Sequence, residues 1–407
     1  MRLTTLPNGL RVASRAIPGV ETVAVGLYAQ IGSRHESERL NGLAHLFEHM
    51  VFKGAGGRSA REISEAIEDV GGDLNAATDR DSTSFTAALM AEHLPLGIEL
   101  ISDLVTRPLF DPADLKREKE VVLQELGEAR DTPSDLVFEE LQAAAFAGQP
   151  LGRSILGSED SVRAIRVADL EAWRADFYRG GSLILVAAGK LDHVRLVDLA
   201  ASRLGGLPPE PAPSPELASF TGGDRVARAA GDQAHIALAY AAPGATDDSY
   251  YAARLFSDAV GGGMSSRLFQ QLREDRGLAY TVFAMLTPWR ELGMLSVYAA
   301  TARRSAAAAA AVIEEVLAGA AATITPRELE RVRTQAKAGL LMSLETSWGQ
   351  AHYVAAQLAL RDRLVEPAEV VARLEAVTLD EVRAAGGRML AGPRARATIG
   401  FPAVRAA

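Results

Sequence analysis

No cysteine occurs among the 407 residues. Disulfide staples and thiolate-ligated metal sites are therefore excluded, and any metal must rest on His and carboxylate side chains. Positive charge is also short: 43 Lys and Arg face 52 Asp and Glu, for a formal net charge of -9. A nucleic-acid binder needs a basic face to displace counterions, so that class of partner is not expected. Room is left for cationic partners such as basic peptides. Long apolar runs are scarce as well. The Ala-rich stretch 306–322 is broken by Glu314 and Glu315. No run then reaches the roughly 18–20 apolar residues of a spanning helix, and no membrane insertion is expected. The opening MRLTTLPNGLRVASR lacks the apolar segment of a secretory signal, which makes a cytoplasmic location the expectation.

What is present is an ordinary globular composition, 48% hydrophobic and 23% charged. A single core rarely grows past roughly 250–300 residues, so at least two domains are expected. The clearest break is the proline-rich stretch 207–220, LPPEPAPSPELASF, which separates a domain 1–206 from a domain 221–407. The halves look like divergent copies. TVAVGLYAQIGS opens the first and AHIALAYAAPGA the second; DLKREKEVVLQELGEARDT in one meets ELERVRTQAKAGLLMSLET in the other. Both end on a helix followed by a strand, so each half reads as one copy of an α+β unit. In the first half, period-two alternation and β-branched runs predict strands over 10–14, 22–31, 81–90 and 183–189. Helical patterns are expected over 41–53, 60–70, 94–105, 112–130 and 133–145.

The chemistry concentrates in the segment His45-Leu46-Phe47-Glu48-His49, placed in a helix with Asn41 as its N-cap. Residues four apart share a helical face, so two imidazoles can point at one ion while Glu48 flanks it. This is the H-x-x-E-H order, the inverse of the H-E-x-x-H zinc helix. A two-His site needs a third ligand and an open position. The 112–130 helix supplies candidates, because Glu118 and Glu125 are seven apart and share a face with Leu115, Val121 and Val122 nearby. His35, His93, His193, His235 and His352 have no comparable partner and are read as structural or solvent-exposed. The run Gly261-Gly262-Gly263 lacks the following Lys-Ser/Thr of a phosphate loop, so no phosphate loop is expected there.

On these residues the chain resembles the M16 metallopeptidases, the inverzincins, a family that includes pitrilysin, insulin-degrading enzyme and mitochondrial processing peptidase. That family places a ligand Glu 76 residues after the second His, and here Glu125 follows His49 by 76. The stretches NGLAHLFEHMVFKG, LGRSILGSED and GGGMSSRLFQQLREDRGLAY are also similar to the family, nearest to the processing-peptidase β subunit and its two-domain bacterial relatives.

The resemblance implies an α+β fold of two duplicated domains. Each would be a mainly antiparallel sheet packed with helices, and together they would form half of a clam-shell chamber. It implies one zinc ion per chain on His45, His49 and Glu125, with Glu48 as the base that activates water and Glu118 supporting a ligand histidine. It implies Arg273 and Tyr280 as second-half residues that act on the substrate, and no zinc ligands in the second domain. Asn75 and Ala76 match an edge strand that grips the peptide backbone. Phe52 matches an aromatic lining a substrate pocket, and Asp135 and Glu139 match acids that read an arginine. The implied function is a processing-peptidase-like zinc endopeptidase acting on extended or unfolded peptides. Its expected assembly is a homodimer, with a heterodimer as the alternative. The competing reading is a catalytically silent family member serving as a peptide-binding or assembly subunit.

Overall fold

A computed structural model describes residues 1–228 and 231–401. Two compact units are built around separate sheets. The first comprises residues 1–126, 153–216 and 341–366; the second comprises 127–152, 217–340 and the segment from 367 onward.

The first sheet has six strands: β1 (Arg2–Thr5), β2 (Arg11–Ala16), β3 (Thr22–Ala29), β4 (Asp73–Thr78), β5 (Thr83–Met90) and β6 (Leu183–Gly189), in the order β1-β2-β6-β3-β5-β4. Only β2 and β6 run parallel. The second sheet has five strands: β7 (Gly223–Ala227), β8 (Gln233–Pro243), β9 (Thr281–Pro288), β10 (Leu292–Ala302) and β11 (Arg394–Ile399), in the order β9-β10-β8-β11-β7. Again one pair, β11 with β7, is parallel. With β1 set aside, both sheets follow one plan. The first and last strands pair in parallel, the second strand adjoins the last, and the third lies at the far edge. The duplication expected from the sequence is thus present at the level of strand order.

The contiguous halves exchange one helix each. α1 (Leu43–Val51), α2 (Leu94–Thr106) and the N-terminal part of α3 (Pro112–Asp131) belong to the first unit, but α4 (Pro133–Ala145) belongs to the second. There α4 sets Val137, Leu141, Ala144 and Ala145 against Ala237, Ala239, Ala395 and Ala397 of the second sheet. α5 (Ala306–Thr323) stays in the second unit, whereas α6 (Ser347–Arg361) belongs to the first. α6 packs Ala351, Val354, Ala355 and Leu358 on Ala13, Ala24, Ile184 and Val186. β6 therefore has no solvated face. Leu183, Leu185 and Ala187 enter the main core of the first unit, while Ile184, Val186 and Ala188 lie under α6. That explains its uninterrupted apolar run LILVAAG, the signature of a strand covered on both sides.

The expectation about membrane spans needs correction. The segment Arg303–Thr323 is long and apolar enough, by length and composition alone, to cross a membrane. Its two glutamates sit next to each other on one side and do not lower its mean hydropathy enough. The helix buries Ala309, Val312, Ile313, Val316, Leu317 and Ala320, an i, i+3, i+4, i+7 stripe, in the core of the second unit.

Candidate metal centre

α1 is a two-faced helix. Leu43, Ala44, Leu46, Phe47, Met50 and Val51 are buried, with Phe47 stacked on Tyr178 at a ring-centroid distance of 4.8 Å. Burying such side chains contributes about 1.5–3 kcal/mol each, which fixes how the helix is rotated. The opposite face then presents His45, Glu48 and His49. The cap differs from the sequence expectation. Gly42, at φ 93°, is the N-cap, and Asn41 turns its amide to Glu36 and the Ser154 carbonyl instead. Only glycine adopts that backbone without strain.

The two imidazoles lie 4.6 Å apart between centroids, edge to face. α3 supplies both carboxylates from one face, as the seven-residue spacing requires. Glu125 Oε2 lies 3.7 Å from His45 Nε2 and 3.7 Å from His49 Nε2. Glu118 Oε2 stands 3.1 Å from His49 Nδ1, and its Oε1 accepts from Lys53 Nζ at 2.9 Å. With the Nδ1 proton given to Glu118, the Nε2 lone pair of His49 faces Glu125. Lys53 was not foreseen; it lies in the turn just beyond Phe52, past the C-terminus of α1.

The electrostatics suit a cation. Burial, and then the neighbouring His49, hold the His45 imidazole down at about 4, so it is neutral, the ligating form, near neutral pH. Burial raises the Glu48 carboxyl above the ordinary range, and Glu125 adds to this; Thr78 and His49 pull the other way. Glu48 Oε2 and Glu125 Oε2 are buried without a hydrogen-bond partner. Buried, unpaired carboxylate oxygens are costly unless something cationic or proton-donating meets them.

The donor atoms of His45, His49 and Glu125 lie within 4.8 Å of one another, and among the described residues they form the group of three able to hold a metal. Two imidazoles and one carboxylate without thiolate form a donor set that fits zinc.

Other candidates fall elsewhere. Asn75 and Ala76 lie on β4, which among the described residues has β5 as its only strand neighbour; Asn75 is exposed and Ala76 rests on the core. Phe52 closes the C-terminus of α1 and is half-buried against the same core. Asp135 and Glu139 ride on α4, so they belong to the second unit, where Asp135 is exposed. Arg273 and Tyr280 also belong there. Arg273 Nη1 donates to the Tyr280 carbonyl at 3.1 Å, and Tyr280 is 72% exposed. His193 bonds the hydroxyls of Thr4 and Ser14, and His235 bonds that of Tyr298, as structural histidines do.

A duplicated α+β fold with two His and a Glu on an H-x-x-E-H helix and its companion helix defines a metallopeptidase-type protein of the inverted-motif class. The model of insulinase-type M16 peptidases matches residues 11–159, and that of the peptidase M16 inactive domain matches 164–336. An uncharacterized zinc protease of Streptomyces coelicolor is 34% identical over 397 residues, which is 94% of this chain and 86% of the relative. An uncharacterized zinc protease of Bacillus subtilis, YmxG, is 31% identical over 387 residues, 93% of each. Two solved structures share the fold at 20% identity. A protease from Helicobacter pylori has a TM-score of 0.90 over 98% of this chain and 99% of that one. A peptidase M16 inactive domain from Pseudomonas fluorescens has a TM-score of 0.92 over 100% and 98%. The chain belongs to peptidase family M16.

Proposed function

We propose that this chain is a zinc-dependent endopeptidase that hydrolyses peptide bonds in extended or unfolded peptides. The observation that carries the reading is the convergence of His45, His49 and Glu125 beside the unpartnered, buried Glu48 Oε2. Zinc, when bound to those three side chains, polarises the scissile carbonyl and makes water acidic. The remaining chemistry belongs to the protein. Glu48, whose carboxyl burial raises above its ordinary value, takes the proton of the attacking water at Oε2 and passes it to the leaving amine. Glu118 keeps the proton of His49 on Nδ1 and so keeps Nε2 free to ligate.

The substrate would add as a strand to β4, whose outer edge no other strand covers among the described residues. Main-chain hydrogen bonds then give affinity with little sequence demand. Tyr280 and Arg273 are proposed to act on the substrate, Phe52 to line a side-chain pocket, and Asp135 and Glu139 to favour basic residues. A dimer, homomeric in the first instance, is the proposed assembly. The names of the Streptomyces and Bacillus relatives support the zinc-protease reading.

The test measures metal content and cleavage of a quenched basic peptide by the native chain and by Glu48→Gln. Bound zinc in both with cleavage only by the native chain is expected. Equal cleavage by both would remove Glu48 as the base, and a zinc-loaded native chain that cleaves nothing would leave a silent subunit.

A further inference from the structure

The positive end of α1 has no cap of its own, because Gly42 has no side chain to offer. It is met from outside the helix by Glu36, which is only 4% exposed. One carboxylate oxygen of Glu36 accepts from the Ala44 N–H at 2.7 Å. The other accepts from the Gly42 N–H and from the Asn41 amide, both at 2.8 Å. Ala44 immediately precedes the ligand His45. Arg153 in turn donates to the main-chain carbonyl of Glu36. Two oxygens thus serve three donors at a helix N-terminus, where negative charge is favoured. A carboxamide in the same place would turn an N–H against an N–H, and an aspartate would fall a methylene short.

Two residues earlier the same short turn grips a different element. Arg34 is 3% exposed; its Nη1 donates to Asp81 Oδ1 and its Nη2 to the Glu216 carbonyl, each at 2.8 Å. The backbone continues the grip, since Ser33 N–H donates to the Asp79 carbonyl at 3.1 Å and Arg34 N–H to the Arg80 carbonyl at 3.0 Å. Asp79 to Asp81 form the tip of the β4–β5 hairpin. A Cβ on Gly32 would sit 2.2 Å from the Asp79 oxygen, so only glycine permits the approach.

We propose that residues 32–36 form a bracket between the metal helix and the hairpin that carries the edge strand. Glu36 is the positioning residue for His45, and Arg34 is the positioning residue for β4. The proposal rests on the endopeptidase reading for what β4 does, and it assigns the two side chains separable effects. Loss at Glu36 falls on the metal, because the N–H groups it holds set the first turn of α1. Loss at Arg34 falls on peptide binding, because the bonds described above tie it to the hairpin and to the 216 segment.

The test uses the full chain with two readouts besides turnover. One is Co²⁺ affinity and visible spectrum after metal removal. The other is the Kd of a labelled extended peptide, by anisotropy, in a Glu48→Gln background so that nothing is cleaved. Glu36→Gln is expected to weaken Co²⁺ binding roughly tenfold or more and to alter its spectrum. Asp81→Asn, which releases Arg34 from outside the turn, should leave both metal readouts native and weaken peptide binding roughly threefold to tenfold. A native Co²⁺ affinity and spectrum in Glu36→Gln overturns the role of Glu36. A native peptide Kd in Asp81→Asn overturns the role of Arg34. If Glu36→Gln fails to fold, Asn41→Ala removes one of the three donors to the carboxylate. It must then shift Co²⁺ affinity in the same direction, and a native value there overturns the proposal. Failure of the endopeptidase reading shows separately, as a metal-loaded native chain that cleaves no peptide.

Discussion

The two units use one strand plan for different ends. At the same place in each plan, after the second strand, the first unit has α1 and the second has the helix Tyr250–Gly261. Both bury a full apolar stripe, Leu43 to Val51 in one and Tyr251, Leu255, Phe256, Ala259 and Val260 in the other. The polar residues differ. In the second unit Arg254 and Asp258 sit four apart and pair with each other at 3.0 Å. In the first, His45, Glu48 and Glu125 keep buried polar atoms with no partner. The companion helix diverges in step: α3 brings Glu118 and Glu125, whereas Pro326–Ser343 places Gly339, with open space around it, near the corresponding point. A helix whose charges satisfy each other is complete without a ligand. A helix that leaves its donors unsatisfied is poised for a ligand, and that is the physical difference between these two copies of one fold.

The sharpest way to test this contrast is to remove a charge from each helix. Glu48→Gln should lower kcat roughly 10²- to 10⁴-fold with metal retained. Asp258→Asn, at the matched helix, should leave kcat within about twofold. Comparable losses in both, measured on one quenched peptide, would break the distinction.

Metal removal comes next. Ligand bound only to the folded state adds about 2.7 kcal/mol at a hundredfold excess over Kd. Chelation should therefore speed amide exchange in α1 and α3 by a matching amount and leave the helix Tyr250–Gly261 unchanged. Equal acceleration in both units would mean that the metal stabilises more than its own unit.

A smaller effect is expected at Glu118. Glu118→Gln should weaken metal binding roughly tenfold to a hundredfold, by loosening the hold on the His49 Nδ1 proton. Competition with a chromophoric chelator measures this directly.

The smallest effect concerns pH in the second unit. Burial opposes ionisation of Glu328, but Arg267, at 2.6 Å, and Thr325 outweigh it and hold the carboxyl down at about 2. The folded value is below the unfolded one, so the contribution is fully present above about pH 4.5 and fades as pH falls through about 2. It amounts to on the order of 2 kcal/mol. Urea titrations of native and Glu328→Gln protein should differ at pH 6 and converge near pH 2. A constant difference would assign the stabilisation to something other than this carboxylate.

Much of the site was legible because it is local. Four-residue spacing puts His45 and His49 on one face, and seven-residue spacing does the same for Glu118 and Glu125. Each is a property of helix geometry that needs no tertiary information. The strand β6 was equally plain from its apolar run. Three features were not legible. The exchange of α4 and α6 is invisible because an amphipathic pattern states that a face is buried and not which sheet buries it. The Asn41 cap was the natural reading by propensity, yet the backbone turns at Gly42 and hands the task to Glu36. No sequence motif links a carboxylate to N–H groups six and eight residues away through an irregular turn. The grip of Arg34 on the hairpin tip likewise depends on a contact between residues 47 apart in sequence.

The exchanged helices have a consequence for how the chain is made. During synthesis the first sheet is complete in strands once residue 189 has emerged, but one of its faces stays bare until α6 appears more than 150 residues later. The outer face of that sheet, Ala13, Ala24, Ile184 and Val186, must therefore be kept from sticking elsewhere while the second half is translated. Cutting the gene at the proline-rich junction gives two products that each lack one helix and carry one that belongs to the other. Neither is expected to mature alone. Mixed together before folding, the two fragments should complete each other, as the two edges of a dovetail do.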